Sequence, residues 1–385
     1  MSHAAPLFTL VAGETSGDSL GAGLIRALRA HYPQARFEGV TGPLMRAEGC
    51  ESLADIEALS LFGVSEVVGQ IPRLLRLRRR LAAHVLSARP AAFIGIDAPA
   101  FNTGLELRLK SRGVPTVHYV CPTAWAWREG RTRHIRRAVD RLLAIFPFEE
   151  AFFARHGIPV TYVGHPLAGE LPRHPNADTA RRALGLEPGA RWVGLLPGSR
   201  GAEVSRLGRP FLETARWLTR RSPGLRFVAP MANARVRALF EADLADYPDV
   251  DVTLIDGRSR EVMRAVEVLL LASGTASLEA LLAKTPMVVA YALSDSNYWI
   301  ARSLSLIKTE HVSMPNLLAG RALVPEFLQQ EASPDFMGPW LYRLLHAETA
   351  RRRQIDAFDG IHARLALDAD ARAARAVVDL VEARP

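Results

Sequence analysis

Residues Trp192 to Arg206 read WVGLLPGSRGAEVSR. The run Trp192–Leu196 is short, apolar and unbroken, as befits a strand buried on both faces of a parallel sheet. Pro197-Gly198-Ser199-Arg200-Gly201 ends it, and a helix can follow from Ala202. A strand, loop and helix start of this kind gathers free backbone N–H groups, the positive end of a helix dipole, the Ser199 hydroxyl and the Arg200 guanidinium. That set suits a diphosphate. Taken alone, the stretch fits an ordinary strand-to-helix turn with a solvated arginine equally well. The rest of the chain repeats the design.

In the first half, Leu7–Ala12, Arg36–Val40, Ala92–Ile96, Thr116–Val120, Leu142–Ile145 and Val160–Val163 are further short apolar or β-branched runs. Stretches of helical spacing such as Leu20–His31 and Gly104–Arg112 separate them. Residues Ala168–Gly189, with Pro172, Pro175 and Pro188, lose the pattern and read as an interdomain connection. The pattern restarts with Trp192–Leu196, Arg226–Pro230, Val252–Ile255, Val268–Leu271 and Met287–Tyr291. This predicts an α/β protein of two Rossmann-like domains facing a cleft, residues 1–170 and 171–346. Residues 347–385 are rich in Ala and Arg at helical spacing, and are expected to cross back to the first domain.

Composition agrees. A chain of 385 residues is too long for one simple core. No apolar run reaches the roughly 18 residues of a membrane span, and the start lacks a signal-peptide pattern, so a cytoplasmic location is expected. Cys50 and Cys121 stand far apart, which supports neither a disulfide framework nor a zinc site. The formal charge of +8 favours acidic partners: nucleic acid, anionic lipid or phosphorylated substrates.

In open α/β sheets ligands bind beyond the carboxyl ends of the strands. After the first strand comes Gly13-Glu14-Thr15-Ser16-Gly17-Asp18, whose carboxylates and hydroxyls suit sugar hydroxyls better than a phosphate; helix capping by Ser16 or Asp18 is the plainer role. It is not a dinucleotide GxGxxG. After Ile96 stands Asp97, followed by Ala98-Pro99-Ala100-Phe101-Asn102, a carboxylate placed either as a general base for a sugar hydroxyl or as a turn former. Cys121-Pro122-Thr123-Ala124-Trp125-Ala126-Trp127-Arg128 offers two indoles to sugar rings or acyl chains, or packs them as a hydrophobic corner. In the second half Ser273-Gly274-Thr275 opens a helix as an anion-ready N-terminus. Glu279, one turn in, accepts from ribose hydroxyls or favours its own helix dipole. Lys308, Thr309 and Ser313-Met314-Pro315-Asn316 add a cation and an amide.

One segment reads as a surface for lipid. Val67 and Val68 lead into a helix on which Leu74, Leu77, Leu81 and Val85 share a face, widened by Leu75 and Leu86. Arg73, Arg76, Arg78, Arg79 and Arg80 fill the remainder. Such a helix either lies in an anionic interface or packs its leucines on the sheet.

Together these motifs, with Phe146-Pro147-Phe148-Glu149, Val163-Gly164-His165-Pro166-Leu167, Pro315-Asn316-Leu317-Leu318-Ala319-Gly320 and Val324-Pro325-Glu326, make the chain resemble the lipid-A-disaccharide synthases nearly end to end. It departs from that pattern at Cys121-Pro122-Thr123, where serines flank the proline. The resemblance implies a GT-B fold and an inverting transfer from UDP-2,3-diacylglucosamine to 2,3-diacylglucosamine 1-phosphate, giving a β-1,6 disaccharide and UDP. It assigns catalysis to Asp97, Glu14 and Arg200, and substrate binding to Ser16, Asp18, Ser199, Arg200, Ser273, Gly274, Thr275, Glu279 and Asn316. Val67, Val68, Arg73, Leu74, Leu77 and Arg78 are assigned to acyl chains and membrane. No cofactor and no metal are expected, there being no Asp-x-Asp motif in the usual place. The expected partners are the two acylated sugars and the anionic inner face of the inner membrane, with peripheral attachment and no nucleic acid; a homodimer stays open. A UDP-sugar 2-epimerase-like enzyme of the same fold is the competing reading, and would act on a UDP-sugar alone. A non-catalytic membrane- or nucleic-acid-binding module would instead show strongly salt-dependent binding.

Overall fold

A computed structural model describes residues 5–59, 67–124, 129–292 and 310–384, with the backbone alone at 67–70 and 129. The chain forms two compact units, Met1–Gly169 with Leu365–Pro385, and Glu170–Arg364.

In the first unit the strands are β1 (Leu7–Ala12), β2 (Arg36–Thr41), β3 (Glu51–Asp55), β4 (Ala92–Ile96), β5 (Thr116–Tyr119), β6 (Arg141–Ala144) and β7 (Val160–Tyr162). They form one parallel sheet in the order β3-β2-β1-β4-β5-β6-β7. Phe8, Leu10, Ile94, Ile96 and Val117 are wholly buried, which is why these runs are apolar without alternation. The strand order reverses between β1 and β4, where Ala12 lies beside Ile96, and a crevice opens beyond such a pair.

The final helix, Ala369–Glu382, packs on the Thr15–His31 helix and buries Ala373, Ala374 and Val377 in the first core. A Cβ at Gly23 would meet the Asp370 carboxylate, which would have to move aside to admit any other residue. The chain's return is fixed at Gly164-His165: the His165 N–H donates to the Leu365 carbonyl at 2.9 Å, and Gly164 has φ +96° against Leu367.

The second unit repeats the plan with β8 (Arg191–Leu196), β9 (Leu225–Met231), β10 (Val252–Asp256), β11 (Val268–Ala272), β12 (Met287–Tyr291) and β13 (Glu326–Leu328). The order is β10-β9-β8-β11-β12-β13, all parallel, with its reversal between β8 and β11. Val193, Leu195, Phe211, Phe227, Leu270 and Val288 fill the core. Among the described residues no helix is long and apolar enough to cross a membrane.

Three features depart from the sequence reading. The edge strands β3 and β13 are additional; the first is polar and half exposed, the second only three residues long. The supposed connection carries a helix, Ala177–Leu184, capped by the Asn176 side chain on the Thr179 N–H at 3.0 Å and tied by Arg181 to the Ala265 carbonyl at 2.7 Å. Residues 347–364 stay with the second unit, where Gln354 bonds both backbone groups of Met287, so the return begins at Leu365.

Candidate active site

At the switch point of the first sheet the loops after β1 and β4 touch. A Cβ added to Gly13 would sit 2.4 Å from the Ala98 Cβ, so the contact requires glycine. Asp97 and Ala98 both adopt left-handed backbone, at φ +52° and +43°, and Val120 beyond β5 does the same at +71°. Strain of this kind costs on the order of 1–3 kcal/mol per residue and collects at functional sites. The Asp97 N–H donates to the Tyr119 carbonyl at 2.8 Å, and Pro99 starts the next helix. Half-buried, the Asp97 carboxyl lies against that of Glu14. Burial first, then the Glu14 charge, lift it above the usual carboxylate range, while the Ala98 N–H and, less strongly, His118 oppose the shift. Ser16 Oγ in turn donates to Glu14 at 2.8 Å, so Glu14, Ser16 and Asp97 form one exposed-to-half-buried cluster.

Asp18 does not join it. It is wholly buried and accepts the N–H groups of Gly42, Leu44 and Met45 at 2.8, 2.8 and 3.1 Å, capping the Pro43–Ala47 helix. Its expected contact with substrate is therefore corrected: both carboxylate oxygens are already engaged with the backbone.

At the switch point of the second sheet, Gly198 takes φ +135° and lets Glu203 fold under the loop. Glu203 accepts the N–H groups of Ser199 and Arg200 at 3.0 and 3.3 Å, the same groups the sequence offers to a phosphate. The Arg200 guanidinium points outward, its side chain 83% exposed and only 3.8 Å from Glu203 at its nearest. Tyr291, at the end of β12, was not anticipated; burial and Glu203 raise its phenol while Arg200 lowers it, so all three share one corner. Its signal is its position at a strand end.

Across the same switch point, Gly274 and Thr275 are exposed at the start of the Thr275–Leu282 helix. Ser273 Oγ donates to the Val312 carbonyl at 2.7 Å and Glu279 takes Arg260 at 2.8 Å, so both side chains already have protein partners. Asn316 is a correction of the same kind as Asp18. Buried, it donates to the Val324 carbonyl at 2.9 Å and accepts from Leu323 and Val324 at 2.7 and 2.8 Å, stapling its own loop. A cavity of about 390 Å³ that it helps line opens beside Pro325 and Gln354, with His311 and Glu326 also in its wall.

The basic helix spans Val67–Ala88. Leu81 and Val85 are core residues and Leu74 and Leu77 pack against them, which corrects the assignment of Leu74 and Leu77 to lipid. Among the helix's described side chains, Ile71 and Leu75 are the exposed large apolar ones, 44% and 38% accessible, beside exposed Arg73, Arg76, Arg79 and Arg80. Arg78 lies over Gly104 and, with Arg79 and Arg108, lines a cavity of about 180 Å³. The side chains of Val67 and Val68, together with Trp125, Trp127, Arg128, Lys308 and Thr309, lie outside the described residues. Among the described residues no group of three His, Cys, Asp or Glu is arranged to hold a metal ion.

Solved structures share this architecture. A UDP-GlcNAc 2-epimerase from Neisseria meningitidis bound to UDP-GlcNAc superposes with a TM-score of 0.63 at 13% identity, covering 97% of this chain and 98% of its own. The glycotransferase of kitacinnamycin gives 0.63 at 17%, covering 98% and 100%. At such identities the likeness speaks for the fold, which is that of the GT-B enzymes, and leaves the epimerase as a structural neighbour. Sequence relatives decide the family. Lipid-A-disaccharide synthases of Alkalilimnicola ehrlichii and Haemophilus influenzae strain PittEE are 52% and 45% identical, over 96% and 99% of this chain and 97% and 99% of their own. A family model described as lipid-A-disaccharide synthetase matches residues 8–377, and the chain belongs to the lipid-A-disaccharide synthase family of glycosyltransferases.

Proposed function

We propose that the chain transfers the diacylglucosamine of UDP-2,3-diacylglucosamine to the 6-hydroxyl of 2,3-diacylglucosamine 1-phosphate with inversion, releasing UDP. The observation that carries this reading is the Asp97–Glu14 pair at the first switch point. A carboxylate lifted above its ordinary range is a stronger base, suited to a weakly acidic sugar hydroxyl. Asp97 takes the hydroxyl proton as the oxygen attacks the anomeric carbon, and the bond from that carbon to the diphosphate breaks with its electron pair leaving on UDP. Glu14 and Ser16 orient the acceptor, while Arg200, Ser199 and the helix start at Ser273-Gly274-Thr275 meet the charge gathering on the diphosphate. Ile71, Leu75 and the neighbouring arginines suit the anionic inner face of the membrane from which both acylated sugars are drawn. The test is UDP release with both acylated substrates, for the wild type and Asp97→Asn. A fall of about 10²- to 10⁴-fold in kcat/KM is expected for loss of a general base. Full turnover in the variant overturns the role of Asp97, and epimerised product from a UDP-sugar alone overturns the reaction.

A further inference from the structure

Asn102 lies one turn into the Pro99–Lys110 helix and is wholly buried. Its carboxamide nitrogen donates to the Asp97 carbonyl at 2.8 Å and lies 3.2 Å from the Val11 carbonyl and 3.4 Å from that of Ile96. These three acceptors belong to the carboxyl ends of β1 and β4, the two strands of the switch point. Among the described residues the amide oxygen has no hydrogen-bond partner. The reverse orientation of the amide would set its oxygen against three carbonyls, so the geometry of the acceptors fixes the assignment.

A buried amide with an orphaned oxygen costs stability that an apolar side chain of similar size avoids. What the amide alone supplies is N–H donors, and they converge where Asp97 and Ala98 are held left-handed. The floor below is built to fit. A Cβ at Gly95 would lie 3.0 Å from the Asn102 Cβ and 2.2 Å from Glu106 Oε1, and Glu106 is paired with His118 Nδ1 at 2.6 Å, both wholly buried.

We propose that Asn102 is a positioning residue for the transfer, holding the Asp97–Ala98 turn in its left-handed form so that the Asp97 carboxyl stays against Glu14. The proposal rests on Asp97 being the base, and the test separates the two. Full-length Asn102→Ala, Asp97→Asn and the double variant are assayed for UDP release with both acylated substrates, with KM for the donor and the pH profile of kcat/KM. Asn102→Ala is expected to lose about a hundredfold in kcat, as misplacement of a reacting group does, with the donor KM unchanged. Its acid limb moves to lower pH, because the carboxyl leaves the burial and the Glu14 charge that raise it, which together outweigh the lowering contacts with the Ala98 N–H and His118. The double variant is expected to be no slower than Asp97→Asn alone.

Unchanged kcat in Asn102→Ala, an unmoved acid limb, or the same loss in the Asp97→Asn background each overturns the positioning role. Full activity of Asp97→Asn overturns the base assignment, and the proposal with it. Should melting show that Asn102→Ala does not fold, Asn102→Ser, which keeps one shorter donor, takes its place; a smaller loss that vanishes in the Asp97→Asn background is then expected, and a loss that persists there overturns the proposal.

Discussion

A single carboxyl, Asp97, shows how position sets chemistry. Burial and Glu14 raise it, so it gains its charge at higher pH than a free aspartate, and the acid limb of kcat/KM is expected above the ordinary carboxylate range. Glu14→Gln removes a negative neighbour and moves that limb to lower pH, measurable in a pH profile of UDP release. Arg200→Ala, which strips the outward-pointing guanidinium from the second switch point, is expected to cost about 10²-fold in kcat/KM. Arg200→Lys recovers little of it, since a lysine cannot make the forked contact. Gly13→Ala drives a methyl into Ala98 and is expected to lower stability by about 1–3 kcal/mol, read by denaturant titration.

Elements carry two further expectations. The Gly164-His165 corner holds a histidine whose pKa burial depresses to about 4. An unfolded histidine takes its proton near pH 6.5, so between pH 6.5 and 4 the unfolded state binds the proton and the folded state refuses it. Stability of the first unit is fully present above 6.5 and declines through this window by about 3 kcal/mol from this residue alone. His165→Phe is expected to flatten that dependence in urea titrations at pH 7 and pH 5. On the Val67–Ala88 helix, the double variant Ile71→Asp, Leu75→Asp is expected to weaken binding to phosphatidylglycerol vesicles without lowering Tm, because neither side chain belongs to the core. Leu81→Asp, buried against the sheet, lowers Tm instead.

Over the whole molecule, the two sheets were legible because strands covered on both faces leave continuous apolar runs. Among the described residues, eleven of thirteen strands fall on apolar or β-branched runs; β3 hides because it is polar and half exposed, and β13 because its three residues bury only Phe327 and make no run. The strand-end rule also pointed to Glu14, Ser16 and Asp97, which the fold brings together, and to Arg200, which stands exposed in the loop after β8. It misjudged Asp18 and Asn316, since a polar side chain beside a crevice can turn inward and satisfy backbone groups that only the folded chain brings near. Asn102 closes the stretch that begins at Asp97, yet no spacing reveals that its amide reaches across to Val11.

The second unit is a continuous insertion, residues Glu170–Arg364, whereas the first is assembled from both ends of the chain. As the polypeptide leaves the ribosome, the inserted unit is therefore complete while its host still lacks the helix that supplies Ala373, Ala374 and Val377. The usual order of domain completion during translation is inverted here. Released chains that end at residue 364 are expected to resist protease across 170–364 and to be cut within 5–169, a pattern that disappears in the chain that carries the last helix.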